Sequence, residues 1–346
     1  MEHLRRFRGH KIFQTKKYGL TSRVMKAATY DRYGNPSETM QVKDVAKPEP
    51  KPNEILVKVF AATVNRTDEG IVTARYVVSR LYSGLFRPKK PISGTDFAGR
   101  VEAIGSSVTA FRVGEQVFGF DDEGLSSHAE YLTIRQDKAI AVIPEAISYK
   151  EAAASLEGFH YAYTFVKKLN IESGQKVLVN GATGAIGSAA VQLLNYYGTQ
   201  ITAVANTKNI ELVKSLGAAR VIDYTKEDFT ELDETYDFVV DAVGKSSFPR
   251  CKHLLKPKGT YVSSELGPYA SNIFLALTTK FNKGKRVIFP IPSDIKDSLH
   301  LVKRLIEEGK FRPVIDRVYS LENITDAYSY VQTGEKTGNV VIEMER

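Results

Sequence analysis

The sequence predicts an α/β protein in two parts, a β-rich first domain followed by a doubly wound parallel sheet. Three observations lead there. A strand–glycine–helix unit spans Gln175–Leu194. Strands and helices alternate after it at the spacing of βαβ units. Between Met25 and about residue 150, short strand-like runs are separated by Pro, Gly and Asn turns. With 346 residues the chain is long enough for two domains.

Met1–Val24 (MEHLRRFRGHKIFQTKKYGLTSRV) carries seven Lys/Arg against one Glu. The remaining 41 Lys/Arg and 39 Asp/Glu nearly cancel, so most of the net charge of +8 sits in this tail. Residues 1–24 read as a basic tail, either a disordered arm or sequence upstream of a start at Met25. An organelle transit peptide is a third reading; scarce Ser and Ala speak against it. The near-neutral body argues against a specific nucleic-acid surface. No apolar run approaches transmembrane length, so no membrane partner is expected. A single cysteine, Cys251, excludes a disulfide framework and points to a reducing, cytoplasmic setting.

In residues 25–150 strands are expected at Lys26–Tyr30, Glu54–Ala62, Gly99–Ile104, Gln116–Phe120 and Ala129–Thr133. Lys47–Asn53 is a connector, and Ile71–Lys90 is assigned to neither a strand nor a helix. Asp122 and Glu123 read as a solvated turn, and His128 as structural.

The second part, residues 151–290, begins with a buried strand at Val177–Val179. Asn180-Gly181-Ala182-Thr183-Gly184-Ala185-Ile186-Gly187 comes next, then Ile186, Ala189, Ala190, Leu193, Leu194 and Tyr197 at helical spacing. A diphosphate needs backbone N–H groups aimed at it from a helix N-terminus, with no Cβ in the way. Gly184 would allow that approach, and Gly187 would let helix and strand pack closely. Ala182 stands where the standard pattern has its first glycine. An ordinary βα turn is the plainer reading. Dinucleotide binding, with Thr183, Gly184, Ala185, Ile186 and Gly187 as the cradle, accounts for more of the downstream sequence.

Further strands are expected at Gln200–Ala205, Arg220–Asp223, Tyr236–Asp241, Thr260–Ser263 and Arg286–Phe289, with helices at about Lys208–Leu216 and Ser246–Leu255. An acid roughly 20 residues past the glycines would bind the ribose of NAD. Here Asn206-Thr207-Lys208-Asn209 carries none. Lys208 would meet the extra phosphate of NADP, Asn206 and Thr207 would donate hydrogen bonds, and Tyr224 would flank the adenine. The expected cofactor is NADPH.

Five segments, taken in order, resemble the medium-chain dehydrogenase/reductase superfamily in its zinc-free quinone oxidoreductase branch. They are Val64-Asn65-Arg66-Thr67-Asp68, Pro91–Val101 (PISGTDFAGRV), Val113–Gly119 (VGEQVFG), the glycine turn, and Thr337-Gly338-Asn339-Val340-Val341. The resemblance runs from Met25 to about Met344. It implies a GroES-like catalytic domain, a Rossmann domain, return of residues 291–346 to the catalytic domain, a cofactor cleft between the two, and a homodimer. Where zinc-dependent members have Gly-His-Glu, this chain reads Gly94-Thr95-Asp96, and no cysteine precedes Cys251, so no metal site is expected.

The activity so implied is hydride transfer from NADPH to a quinone or an α,β-unsaturated carbonyl. Asn65 would face the nicotinamide, with Asp68 capping the next turn. Tyr76, Tyr82 and His160 are candidate substrate contacts, and each is equally readable as a surface aromatic or a structural histidine. Val243, Gly244 and Ser263 would lie near the nicotinamide, and Asn339 is counted with the cofactor residues. Similar proteins usually carry Pro at the Glu157 position and Thr near Tyr161. This chain departs at both, which leaves its substrate range open. Two rival functions stand beside this one. The first is a non-catalytic NADPH-binding sensor or structural protein. The second is an atypical short-chain reductase, suggested by Tyr163-Thr164-Phe165-Val166-Lys167; in that family the Tyr/Lys pair comes after the glycine loop, whereas here it precedes it.

Overall fold

The computed structural model describes residues 24–75, 80–263, 265–267, 270–280 and 284–345. The expectations placed on residues 1–23, on Tyr76 and on the Tyr82 side chain lie outside the described residues.

Among the described residues the strands form three sheets. The first is a small antiparallel pair, β1 (Val24–Tyr30) and β2 (Met40–Ala46), joined from Val24↔Ala46 to Tyr30↔Met40. β2 was not expected. Its centre, Lys43-Asp44, breaks any apolar alternation, and most of the strand faces water while backbone bonds to β1 hold it.

The second sheet contains β3 (Glu54–Val64), β4 (Asp96–Ile104), β5 (Gln116–Phe120), β6 (Tyr131–Arg135) and β7 (Ile140–Val142). The third is parallel and contains β8 (Lys176–Asn180), β9 (Gln200–Ala205), β10 (Arg220–Asp223), β11 (Tyr236–Asp241), β12 (Leu255–Ser263) and β13 (Arg286–Ile288). Its spatial order is β10-β9-β8-β11-β12-β13, which numbered from β8 is the 3-2-1-4-5-6 order of a doubly wound dinucleotide fold. The reversal of direction beside β8 opens a crevice at the strands' carboxyl ends. The glycine turn lies there.

Among the expected elements that shift, two have a plain cause. The strand proposed at Ala129–Thr133 begins at Tyr131, because Ala129 instead bridges Ala27 of β1. The helix proposed over Ser246–Leu255 covers only Phe248–Cys251, since Leu255 is already paired with Tyr236 of β11.

The last two strands, β14 (Ile315–Ser320) and β15 (Asn339–Glu343), join the second sheet. β15 runs antiparallel to β3, from Val340↔Val64 to Glu343↔Ala61. On entering β15 the chain passes the glycine turn, where Gly338 N donates to Thr183 O at 2.7 Å. Gly338 has φ +77°, and a Cβ there would stand 2.2 Å from Val314 O, so glycine is required on both counts.

The largest core cluster wraps the helix Ala185–Tyr196, where Ala189, Ala190, Val191, Leu193 and Leu194 are all buried. The helix Glu157–Leu169 packs on it through Gly158, whose added Cβ would come 2.8 Å from the Ala185 backbone. This contact sets the first turn of one helix against the start of the other, at the floor of the crevice.

Candidate cofactor cleft

The glycine turn begins where β8 ends. Asn180 Nδ2 donates to Asp241 Oδ1 at 3.0 Å, tying β8 to β11, and Gly181 turns the chain at φ +78°. The tight-turn glycine is therefore Gly181, one place before the expected position. Ala182 is fully buried, and its N donates to Val204 O. Gly184 caps the following helix in an ordinary extended conformation, φ −71°.

The two remaining glycines have different roles. A Cβ on Gly187 would fall 2.0 Å from Gly181 O, so this glycine permits helix–strand contact. A Cβ on Gly184 would meet nothing among the described residues closer than Gly181 O at 3.8 Å. The protein itself does not need a glycine there. A diphosphate drawn to the helix N-terminus would need one, because the backbone must reach it unobstructed. The residues present thus fit a dinucleotide.

The turn opens into a cleft of about 880 Å³ lined by Thr183, Gly184, Ala185 and Ile186, and by Val243 and Gly244 after β11. Asp241, fully buried, shapes the latter loop. It accepts from Gly244 N at 3.0 Å, Ser246 N at 3.1 Å and Tyr261 Oη at 3.0 Å. The opposite wall brings Arg66, Glu69, Glu157 and Lys336. Arg66 reaches across to Glu265 at 2.8 Å, an ion pair between the two parts of the molecule. Burial pulls Lys336 below the ordinary lysine range against the pull of Glu157, and burial pushes Glu157 above the ordinary glutamate range. None of these charged side chains was chosen from the sequence. They come from four separate stretches, and only the folded chain brings them together.

At the other end of the turn, Thr207–Asn209 form a single 3₁₀ turn after β9, with Lys208 exposed. Thr207 donates to Asp223 Oδ2 at 2.5 Å, and the Thr207 and Thr225 hydroxyls hold Asp223 down at about 2. The sequence reading overlooked this carboxylate, which β10 delivers from the next strand. Asn206 Oδ1 accepts from Asn209 Nδ2 at 2.8 Å. Tyr224 is exposed, and its N donates to Ala205 O. The described lining of the cleft stops short of Asn206, Thr207, Lys208 and Tyr224.

Several expected site residues lie elsewhere. Asn65 is buried as the cap of the helix Arg66–Thr73: its Oδ1 accepts from Asp68 N at 2.9 Å, and Nδ2 donates to Thr95 Oγ1 at 2.9 Å. Asp68 returns the cap by accepting from Asn65 N at 3.0 Å. With its amide committed inward, Asn65 is not among the described residues that line the cleft. His160 points the other way, between its own helix and the helix Ile295–Glu307. Its Nδ1 lies 2.8 Å from Ser298 Oγ and its ring packs near Phe120. Burial drives its pKa down to about 4. Asn339 is buried and donates to Val314 O at 3.0 Å, pinning β15. Ser263 is buried, its Oγ accepting from Glu265 N at 3.2 Å, so it shapes the loop rather than lining the cleft. His128 is held between Ser93 Oγ and Thr63 O, both at 2.8 Å. Among the described residues, no group of three His, Cys, Asp or Glu side chains could hold a metal ion.

Comparison with known proteins accords with this geometry. The model of the alcohol dehydrogenase GroES-like domain matches residues 51–171, and that of a zinc-binding dehydrogenase matches residues 216–342. The 2-methylene-furan-3-one reductase of Solanum lycopersicum is 31% identical over 332 residues, 92% of this chain and 79% of its own length. The chain belongs to the medium-chain dehydrogenase/reductase superfamily. It is an oxidoreductase of that superfamily, whose members use a nicotinamide cofactor. The chloroplastic NADPH-dependent alkenal/one oxidoreductase of Arabidopsis thaliana is 30% identical, over 92% of this chain and 79% of its own. The solved quinone oxidoreductase of Coxiella burnetii superposes with a TM-score of 0.81 at 28% identity, covering 93% of this chain and all of that one.

Proposed function

We propose that the protein is an NADPH-dependent reductase of quinones or α,β-unsaturated carbonyls that works without zinc. The observation that carries the reading is the cleft floor, where Gly184 leaves room that the fold does not use, beneath a second wall rich in charge. Two further features support it. Asn206–Asn209 hold Lys208 and no acid, which suits a 2′-phosphate. The tomato and Arabidopsis relatives are named for conjugated acceptors. Gly94-Thr95-Asp96 also has its own internal use: Asp96 accepts from Thr63 N at 2.6 Å and from Thr63 Oγ1 at 2.5 Å.

When bound, the reduced nicotinamide supplies the hydride. The chain's own part is to seat the diphosphate on the helix at Ala185, orient the ribose side through Val243 and Gly244, and hold the acceptor in the cleft. Conjugation already activates the acceptor, so positioning and a hydrogen-bond donor for the developing oxyanion are sufficient chemistry.

The proposal includes a homodimer. β13 is the edge of the parallel sheet, and Phe274 and Leu277 are exposed on the neighbouring helix Ser271–Thr279. Light scattering tests that part.

The test of function is steady-state oxidation of NADPH and NADH against a quinone, a 2-alkenal, a cyclic enone and a saturated aldehyde, with and without a chelator. We expect chelator-insensitive turnover of the quinone or an enone with NADPH preferred. Chelator-sensitive reduction of the saturated aldehyde would refute the zinc-free reading. Tight NADPH binding with no turnover would favour a sensor or structural role.

A further inference from the structure

Phe86 is 86% exposed and its neighbour Leu85 56%, and the reductase reading uses neither. Among the described residues no other large hydrophobic side chain is as exposed as Phe86. The two stand at the tip of a loop that the fold holds at both ends. The short helix Arg80–Ser83 leads into it, and Gly84 turns the chain at φ +126°. A Cβ on Gly84 would fall 2.0 Å from Arg87 O, so the turn closes tightly on itself. Across the base, Lys89 N donates to Ser83 O at 2.8 Å and Tyr33 Oη donates to Gly84 O at 2.7 Å. Just beyond it, Tyr30 N donates to Pro91 O at 2.8 Å, which ties the chain back to β1.

The charge around the tip is one-sided. Gly70–Thr95 contain Arg75, Arg80, Arg87, Lys89 and Lys90 and no acid. Arg87, Lys89 and Lys90 are exposed, and Arg80 lies 5.2 Å over the Tyr33 ring at the base. From other elements, Glu123 and the buried Asp68 share a small cavity with Lys89 and Lys90. Two apolar side chains are too few for a stable protein interface, which covers about 800 Å² on each partner. A lipid surface asks for no more. Apolar side chains enter at the boundary of headgroups and acyl chains, and cations beside them meet anionic headgroups.

We propose that the loop Gly84–Lys90 docks the protein on an anionic phospholipid surface. Leu85 and Phe86 enter the boundary of headgroups and acyl chains, and Arg87, Lys89 and Lys90 lie against the headgroups. The sequence reading expected no membrane partner because no run is long enough to span one. Docking needs no span, and no helix among the described residues is long and apolar enough to cross a membrane. The described lining of the cofactor cleft contains none of these loop residues, so the proposal is independent of the reductase reading.

The chain has no tryptophan, so Phe86→Trp places a single reporter at the tip. With vesicles of phosphatidylcholine and phosphatidylserine its emission should shift to the blue and be quenched by brominated acyl chains. With phosphatidylcholine alone the shift should be far smaller; an equal shift would overturn the role given to the cations. Co-sedimentation of the full chain with the mixed vesicles then compares variants. Phe86→Ser should weaken binding about tenfold, through the apolar area withheld from the lipid. Arg87→Gln combined with Lys89→Gln should weaken it about 30-fold and reduce its salt dependence. These side chains are exposed, so every variant should melt as wild type. The basic residues 1–24 are the same in all of them. Co-sedimentation with unchanged Phe86→Trp emission, and equal binding by Phe86→Ser, would assign the binding to residues 1–24 and overturn the loop. No binding to the mixed vesicles would overturn it as well. So would an emission change with single-stranded RNA, or on self-association seen by light scattering, in place of one with lipid. NADPH binding and turnover by Phe86→Ser should match wild type, and failure of the reductase assay would leave this proposal standing.

Discussion

Adding one methyl group at Gly184 or at Gly187 should have opposite consequences, although the two glycines are three residues apart. At Gly187 the new Cβ meets Gly181 O at 2.0 Å, the Gly181 carbonyl carbon at 2.8 Å and Ala182 Cα at 2.9 Å. These are backbone atoms of the turn, so no side chain can rotate away. Ordinary contact begins near 3.4 Å, which means the helix must move by about 1.4 Å against a core packed by Leu193, Leu194 and Val191. Overpacking of this kind costs about 1–3 kcal/mol, and the gain in helix propensity from Gly to Ala offsets at most about 1 kcal/mol. At Gly184 the backbone is ordinary and the space is open, so Gly184→Ala should leave apo stability unchanged. It does occupy the approach of the diphosphate. Losing one or two charge-assisted hydrogen bonds at about 1.5–3 kcal/mol each should weaken NADPH at least about tenfold. Thermal unfolding with and without NADPH, alongside NADPH fluorescence titration, separates the cases. Gly187→Ala should melt several degrees lower, at about 2–4 °C per kcal/mol, and Gly184→Ala should melt as wild type but lose the shift on adding cofactor. If Gly184→Ala bound NADPH normally, or if both variants melted alike, the assignment of the cleft floor would be wrong.

Lys208→Ala should weaken NADPH about tenfold or more while leaving NADH within about threefold, measured by fluorescence; equal losses would remove the 2′-phosphate assignment. Asn65→Ala deletes a capping box and leaves the Thr95 and Asp68 partners unmatched, so a loss of about 2 kcal/mol in denaturant unfolding is expected, with NADPH affinity retained. Loss of turnover at unchanged stability would instead return Asn65 to the active site. His160→Leu should keep its activity and alter the acid limb of stability. With its folded pKa near 4, below the ordinary value of about 6.5, the unfolded chain takes the proton first. His160 therefore costs the wild type stability as pH falls from about 6.5 to about 4, up to about 3 kcal/mol, and nothing further below that. Asp96, raised by burial to about 7, works in the opposite direction in both proteins and cancels in the difference. Parallel stability curves for the two proteins across that window would show that His160 is not buried as a neutral ring.

The doubly wound sheet was legible because its signals are local. Val177–Val179, YDFVVD and the glycine turn each satisfy their own backbone and burial needs within a few residues, so period and punctuation expose them. β2 and the short helix at Phe248–Cys251 were misjudged because their extent is set by partners: β1 in one case, and early pairing of Leu255 with Tyr236 in the other. The glycine turn was legible for the same reason as the sheet, since Thr183–Gly187 are contiguous. Asn65 and His160 were misplaced because a polar residue in a motif shows no direction. Whether an amide faces a cleft or caps a helix depends on Asp68 and Thr95, and whether an imidazole reaches solvent depends on Ser298, 138 residues away.

What the sequence alone determines, then, is the family, the order of the two parts and the glycine turn between strand and helix, all written in neighbouring residues at fixed spacing. The cleft wall was decided only in three dimensions. Arg66, Glu157, Glu265 and Lys336 meet because β15 returns to β3 past the glycine turn, and because Gly158 lets one helix rest on the start of another. Burial then raises Glu157 and lowers Lys336. Desolvation of a charge depends on everything packed around it, and no stretch of chain carries that by itself.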